Sequence, residues 1–174
     1  MLRILLLITS VFITSIYSIS FQKINGNGSN NPTSFNSYQG KKILIVNIAT
    51  GSPRVNQLAG LQQLYNQYID SLVVVAFPSN TFNNEPRNNG QIKTFCQNNY
   101  SITFPIAAKG NVNGTGNQPT FNWLASGSAN GLMNINIVGD FEKVLLNKNG
   151  AIIGIFAPAI QPMDTTIINA ITNN

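Results

Sequence analysis

The chain contains no histidine, a single cysteine and only five acidic residues among 174. The missing histidine excludes Ser-His-Asp and Cys-His catalysis, and zinc sites built on imidazole. One cysteine, Cys96, excludes an intramolecular disulfide and a cysteine-rich metal site within one chain. Asp70, Glu85, Asp140, Glu142 and Asp164 are widely spaced, so the sequence offers no paired-carboxylate or calcium motif. We expect neither metal nor cofactor.

Charge is scarce as well. Charged residues make up 9% of the chain, against about 25% in ordinary globular domains. The net charge is +5, but the cations are scattered and Lys41-Lys42 is the only adjacent pair. No basic stripe alternates with aromatics, which argues against nucleic-acid binding. Hydrophobic residues reach 43%, enough for one sizeable core in a chain of this length.

Met1-Leu2-Arg3 is a short basic start, Ile4 to Ile16 is largely apolar, and Ser15, Ser18 and Ser20 follow. This pattern reads as a secretory signal peptide over residues 1–20, cleaved near Ser18 to Ser20, or as an uncleaved N-terminal anchor. The apolar stretch is too short for a spanning helix. The expected domain covers residues 21–174, secreted or periplasmic, or membrane-anchored and facing away from the cytosol. A lone cysteine would there meet an oxidising compartment.

Downstream, residues 23–39 are rich in Asn, Gly and Ser and read as a hairpin or loop. Ile43 to Ile48 is a continuous apolar run, hence a buried strand. Leu58, Leu61, Leu64 and Tyr65 mark one face of a helix over about 57–68. Leu72 to Phe77 is a second buried strand. Ile92, Phe95 and Cys96 mark a helix ending near Asn99. Pro119 to Leu124 reads as a short helix with proline in its first turn. Val144 to Leu146 and Ile152 to Phe156 form a hairpin across Asn147-Lys148-Asn149-Gly150. Ile167, Ile168 and Ile171 close the chain on a helix. Strand, helix and strand followed by a hairpin and a helix predict an α/β domain with a mixed sheet, in the thioredoxin-like order.

Several ordered segments carry a more specific resemblance. Asn47-Ile48-Ala49-Thr50-Gly51-Ser52 follows the first buried strand. Gln57 and Gly60-Leu61-Gln62-Gln63-Leu64-Tyr65 come next, then Phe77-Pro78-Ser79-Asn80-Thr81-Phe82 and Glu85-Pro86. Ile92-Lys93-Thr94-Phe95-Cys96, Phe104-Pro105, Val112-Asn113-Gly114, Phe121-Asn122-Trp123-Leu124, Phe141-Glu142-Lys143 and Phe156-Ala157-Pro158 complete the series. From Gly40 to about Pro162 the chain resembles the glutathione peroxidases. The resemblance implies a thioredoxin-like fold and reduction of hydroperoxides by a thiolate or selenolate, with glutathione or thioredoxin as reductant where activity persists.

The same resemblance implies four catalytic positions: Cys or selenocysteine, Gln, Trp and Asn. Here they fall on Ser52, Thr81, Gly139 and Asp140, and all four differ. A thiol with a pKa near 8.5 can be tuned to a nucleophilic thiolate, whereas a hydroxyl needs a strong base. Serine has no state equivalent to sulfenic acid. Thr81 is shorter than glutamine, Gly139 has no side chain, Asp140 replaces an amide by an anion, and Pro53 removes an N–H. The expectation is a protein without thiol peroxidase catalysis, serving as a binding or structural module. An unidentified partner or small ligand would occupy the vacated pocket around these positions. The alternative is a residual peroxidase working through Cys96, which lies where thioredoxin-dependent members carry a resolving cysteine. Cys96 reads either as a half-buried structural thiol beside Phe95 or as a redox thiol able to link to a partner. Trp123 reads as packing, Asn111 to Gly116 as a loop, and Lys143 and Lys148 as solvated.

Overall fold

The computed structural model describes residues 13–26, 28–114 and 116–173. A two-stranded antiparallel hairpin comes first, β1 (Ser20–Ile24) with β2 (Asn30–Ser34). The core sheet has four strands in the order β4-β3-β5-β6. Strand β3 (Lys42–Ile48) and β4 (Leu72–Pro78) are parallel and joined through helix α1 (Gln57–Gln67). Strand β5 (Lys143–Leu146) runs antiparallel to β3, and β6 (Ile152–Phe156) antiparallel to β5. Helices α2 (Asn89–Tyr100), α3 (Pro119–Leu124), α4 (Gly127–Asn130) and α5 (Thr165–Thr172) complete the order.

Strands β3 and β4 are buried at every position. Buried on both faces, they read as continuous rather than alternating apolar runs. Leu44, Val46, Val74 and Ala76 pack on one side of the sheet with α1, α2 and α5. Ile43, Ile45, Val73, Val75 and Phe77 face the other, against Phe21, Phe35, Phe121 and Trp123. Phe77 meets Phe121 edge-on at 5.2 Å and Phe21 at 5.4 Å, geometries that add to simple burial. Helix α2 opens with a reciprocal capping box between Asn88 and Gln91 and ends on Ser101 in the left-handed region. Lys42 lies beneath the end of α5, its ammonium donating to the carbonyls of Ala170 and Ile171, a favourable pairing of cation and helix C-terminus.

The mixed sheet and flanking helices are those of the thioredoxin-like arrangement read from the sequence, with boundaries within a few residues. The segment before residue 21 is more deeply involved than the pattern suggested. Ile16 is fully buried, and Thr14 N–H donates to Ala129 O at 2.8 Å. The Trp123 indole N–H donates to Thr14 O at 2.6 Å. Residues 1–12, the bulk of the expected signal peptide, lie outside the described residues. Among the described residues no helix is long and apolar enough to cross a membrane.

Candidate functional site

The carboxyl ends of the parallel strands β3 and β4 and the start of the antiparallel β5 meet at one end of the sheet. The loops at these ends carry Ser52, Thr81, Gly139 and Asp140, the four positions that the resemblance singles out. The loop after β3 folds back on itself at Ser52, which is 3% exposed. Ser52 N–H donates to Ala49 O at 3.2 Å, and Ser52 O accepts from Val55 N at 3.0 Å. Its hydroxyl oxygen accepts from Arg54 N at 3.3 Å. The serine thus closes a local turn, as serine hydroxyls commonly do. Among the described residues no hydrogen bond joins its oxygen to a carboxylate, an amine or Thr81, so no base activates it.

The loop is held from beneath by Glu85. This carboxylate, 1% exposed, accepts from Thr50 N at 2.7 Å, Thr50 Oγ1 at 2.6 Å and Arg87 N at 3.1 Å. The Arg87 guanidinium donates to Thr50 Oγ1 at 2.8 Å and lies 4.4 Å over the Phe95 ring. Gly51 passes so close to the next loop that its N–H reaches Asn84 O at 2.9 Å. A β-carbon at Gly51 would stand 2.8 Å from that oxygen, so only glycine fits.

Asn47, the penultimate residue of β3, fixes the third loop. Its amide donates to Gly139 O at 3.0 Å and its side-chain oxygen accepts from Glu142 N at 3.0 Å. Its backbone oxygen accepts from Phe141 N at 2.8 Å. Phe141 is held at φ 67°, where non-glycine residues are uncommon. Asp140 is 3% exposed. One carboxylate oxygen accepts from Asn84 Nδ2 at 2.6 Å, while the other is buried without a hydrogen-bond partner. Glu142 accepts from Val138 N at 2.7 Å. Burial raises its pKa, opposed by that N–H and by the Lys143 charge.

Two expectations are corrected at this end of the sheet. Lys143 is not solvated: it is completely buried and its ammonium donates to Phe141 O at 2.7 Å and Ile160 O at 2.6 Å. Burial, aided by the positive charge of Arg54, pushes its pKa down to about 8. Nor do the four substituted positions open a vacated pocket. Thr81 turns to its neighbours, 2.8 Å from Ser79 Oγ and accepting from Val112 N at 3.2 Å. The space beside Gly139 is taken by Pro158, whose ring would lie 3.3 Å from a β-carbon placed there. Ser52 and Asp140 are buried, and Thr81 and Gly139 are half-buried. Surface hollows of 160–410 Å³ lie elsewhere.

Cys96 is fully buried rather than half-buried. Desolvation, with the nearby Glu85 charge adding to it, raises its thiol pKa to about 12 despite Lys93 and Arg87. Such a thiol is neither a ready nucleophile nor presented for a mixed disulfide. Among the described residues no group of three His, Cys, Asp or Glu side chains could hold a metal ion.

Sequence reasoning missed Asn47, Asn84 and Glu85 as the residues that organise the site. Glu85-Pro86 was visible as a motif, but the clamp on Thr50 needs two loops brought together across 35 positions.

A strand-helix-strand crossover, an antiparallel hairpin and a nucleophile-type loop at the sheet's carboxyl end define a thioredoxin-fold protein. The crystal structure of apo Trgpx superposes with a TM-score of 0.66 and 29% identity, covering 92% of this chain and 97% of that one. A thiol:disulfide interchange protein from Chlorobium tepidum shares the fold at a TM-score of 0.62 with 15% identity, over 92% of this chain and 97% of its own. The family model for glutathione peroxidase matches residues 16–125. The glutathione peroxidase-like peroxiredoxin GPX5 of Chlamydomonas reinhardtii is 39% identical over 148 residues, 84% of this chain and 88% of that protein. The glutathione peroxidase homolog BsaA of Bacillus subtilis is 34% identical over 152 residues, 86% and 92% of the two chains. The chain belongs to the glutathione peroxidase family. The likeness begins at Ile16, well before Gly40.

Proposed function

We propose that this member of the glutathione peroxidase family no longer carries out thiol peroxidase catalysis and acts as a binding or structural module. The observation that carries the proposal is the state of Ser52. At the nucleophile position stands a buried hydroxyl whose oxygen is engaged by Arg54 N within its own turn. Two-electron reduction of a peroxide needs a soft nucleophile that can be oxidised and then reduced again. Serine has no such cycle. The surroundings agree: Gly139 supplies no donor, Thr81 bonds to Ser79 and Val112, and Asp140 adds a buried carboxylate.

Cys96 does not rescue the chemistry. Its thiol is buried with a raised pKa, which keeps the thiolate fraction at neutral pH minute. The test is consumption of hydrogen peroxide and of an organic hydroperoxide by the purified chain, with glutathione and separately with a thioredoxin system. The expected result is no turnover above that of a Cys96→Ser control. Turnover that depends on Cys96, or on Ser52, would overturn the reading.

A further inference from the structure

Two hollows open side by side between the β1–β2 hairpin, α1 and α2. The larger, about 410 Å³, and the smaller, about 160 Å³, share Tyr38, Tyr65 and Pro105 in their walls. The smaller reaches Leu72 and Val73, where β4 begins. Ser52 follows the opposite, carboxyl end of β3. A space of this size suits a small organic ligand.

The charges around the larger hollow are of one sign. Lys23 of β1 and Lys93 of α2 line it, and none of the five acidic residues lines either hollow. Neither ammonium has a hydrogen-bond or ion-pair partner among the described residues. Lys41 of the smaller hollow differs, donating to Ile69 O at 2.7 Å. Both free lysines stand on elements held in place. Ile24 N–H donates to Ile106 O at 2.8 Å and Ala108 N–H to Gln22 O at 2.6 Å, bracketing Lys23. Lys93 follows the buried Ile92, and Asn89 Nδ2 on the same helix donates to Asn30 Oδ1 of β2 at 3.3 Å. Burial pushes the Lys93 pKa down and the Lys23 charge adds to that, with Cys96 opposing. Two cations brought together without a carboxylate repel each other, and an anion between them removes that cost.

The tyrosines supply an aromatic wall. Tyr65 meets Phe104 edge-on at 5.9 Å, and Tyr38 meets Phe35 edge-on at 6.4 Å, so both rings are set before any ligand arrives. Neither hydroxyl has a hydrogen-bond partner among the described residues. Burial, with Tyr65 beside it, pushes the Tyr38 hydroxyl up to about 12, so at neutral pH it remains a donor. Paired ammoniums suit a phosphate monoester, which carries about −1.5 to −2 charges at pH 7. Half-exposed aromatic rings suit a flat ring that stacks or packs against them.

We propose that the larger hollow binds a phosphate monoester borne on a planar ring system, a molecule of mononucleotide size, with the phosphate between Lys23 and Lys93 and the ring against Tyr38 and Tyr65. The site is independent of the chemistry at Ser52.

The test titrates the full chain calorimetrically with adenosine monophosphate, adenosine and inorganic phosphate, and locates the ligand by amide shifts in NMR spectra. Adenosine monophosphate should bind, and adenosine and inorganic phosphate should each bind at least about tenfold more weakly. The amides of Lys23, Asn25 and Thr103 should shift while those of the Ser52 loop stay unmoved. The double variant Lys23→Gln/Lys93→Gln should keep its melting temperature and lose at least about tenfold in affinity. Lys148→Gln, in the β5–β6 turn, should lose nothing. Tyr38→Leu should weaken adenosine monophosphate severalfold and leave inorganic phosphate unchanged. The proposal is overturned by absence of binding at millimolar adenosine monophosphate, by undiminished binding to the double variant or to Tyr38→Leu, by inorganic phosphate binding as tightly as the nucleotide, or by shifts confined to the Ser52 loop.

Discussion

The indole N–H of Trp123 donates to the carbonyl oxygen of Thr14 across 2.6 Å, joining helix α3 to a segment 109 positions earlier. Around this bond Ile16 is fully buried, and the Tyr17 hydroxyl donates to Lys148 O at 2.6 Å. Deleting a buried isoleucine costs about 2–5 kcal/mol, and an orphaned buried indole N–H adds about 1–3 kcal/mol. A chain beginning at Phe21 should therefore be destabilised by at least about 3 kcal/mol relative to one beginning at Ile13. Urea unfolding of the two chains measures the difference. Equal midpoints would show that the segment contributes nothing, and that cleavage near Ser18 to Ser20 leaves an intact domain.

Asn47 is the pin of the Gly139–Glu142 loop. Asn47→Ala removes the bonds to Gly139 O and from Glu142 N and leaves those two backbone groups without that partner. At about 1–1.5 kcal/mol for each bond, the loss should be about 2–3 kcal/mol. Release of the strained Phe141 backbone would offset part of that loss. The check is thermal unfolding; a change below about 0.5 kcal/mol would mean that the loop is held by other contacts.

Ser52→Cys alone should give little peroxidase turnover, because the donors that the resemblance implies are absent at Thr81, Gly139 and Asp140. Adding Asp140→Asn should raise the rate above that of the single variant by restoring the amide that the resemblance implies there. Adding Gly139→Trp should lower stability by about 1–3 kcal/mol, since Pro158 already occupies the space. Steady-state assays with a hydroperoxide and a thioredoxin system test the series. Vigorous activity of Ser52→Cys by itself would show that the neighbouring positions matter little.

The sheet and its helices were legible because their signals are local. Ile43 to Ile48 and Leu72 to Phe77 are unbroken apolar runs, and the hairpin at Asn147 to Gly150 is written in turn residues. The resemblance assigned Ser52, Thr81, Gly139 and Asp140 through motif order, and the structure places them in loops at one end of the sheet. What those substitutions do to the space between them was not legible. Pro158 closes on Gly139 from a loop 19 positions away, and a one-dimensional pattern carries no such contact. Lys143 misled for a related reason: β5 is buried at all four positions, and its ammonium finds two carbonyls that no spacing rule announces. The burial of Ile16 in the core is likewise a long-range contact that an apolar run before a serine cluster does not announce.

The last prediction concerns Cys96 and the pH dependence of stability. Burial raises the thiol pKa from an ordinary value of 9.0 to about 12. In the unfolded chain the thiol ionises near pH 9, whereas the native chain keeps its proton to about pH 12. Between those values the native state binds more protons, so stability falls as pH rises. The contribution of the buried neutral thiol is fully present below pH 9 and is lost progressively toward pH 12. Lys143 acts with the opposite sign: its native pKa of about 8 lies below the ordinary 10.5, so the unfolded state binds more protons and stability rises across that window. The two effects overlap between pH 9 and 10.5 and must be separated by substitution. Relative to Cys96→Ala, the wild-type chain should lose stability steadily above pH 9 in urea unfolding series. At pH 8, iodoacetamide should modify native Cys96 roughly a thousandfold more slowly than the urea-unfolded chain. A native thiol that reacts at the unfolded rate, or a wild type that follows the variant across the whole series, would mean that the sulfur is open to solvent and that its redox role must be reconsidered.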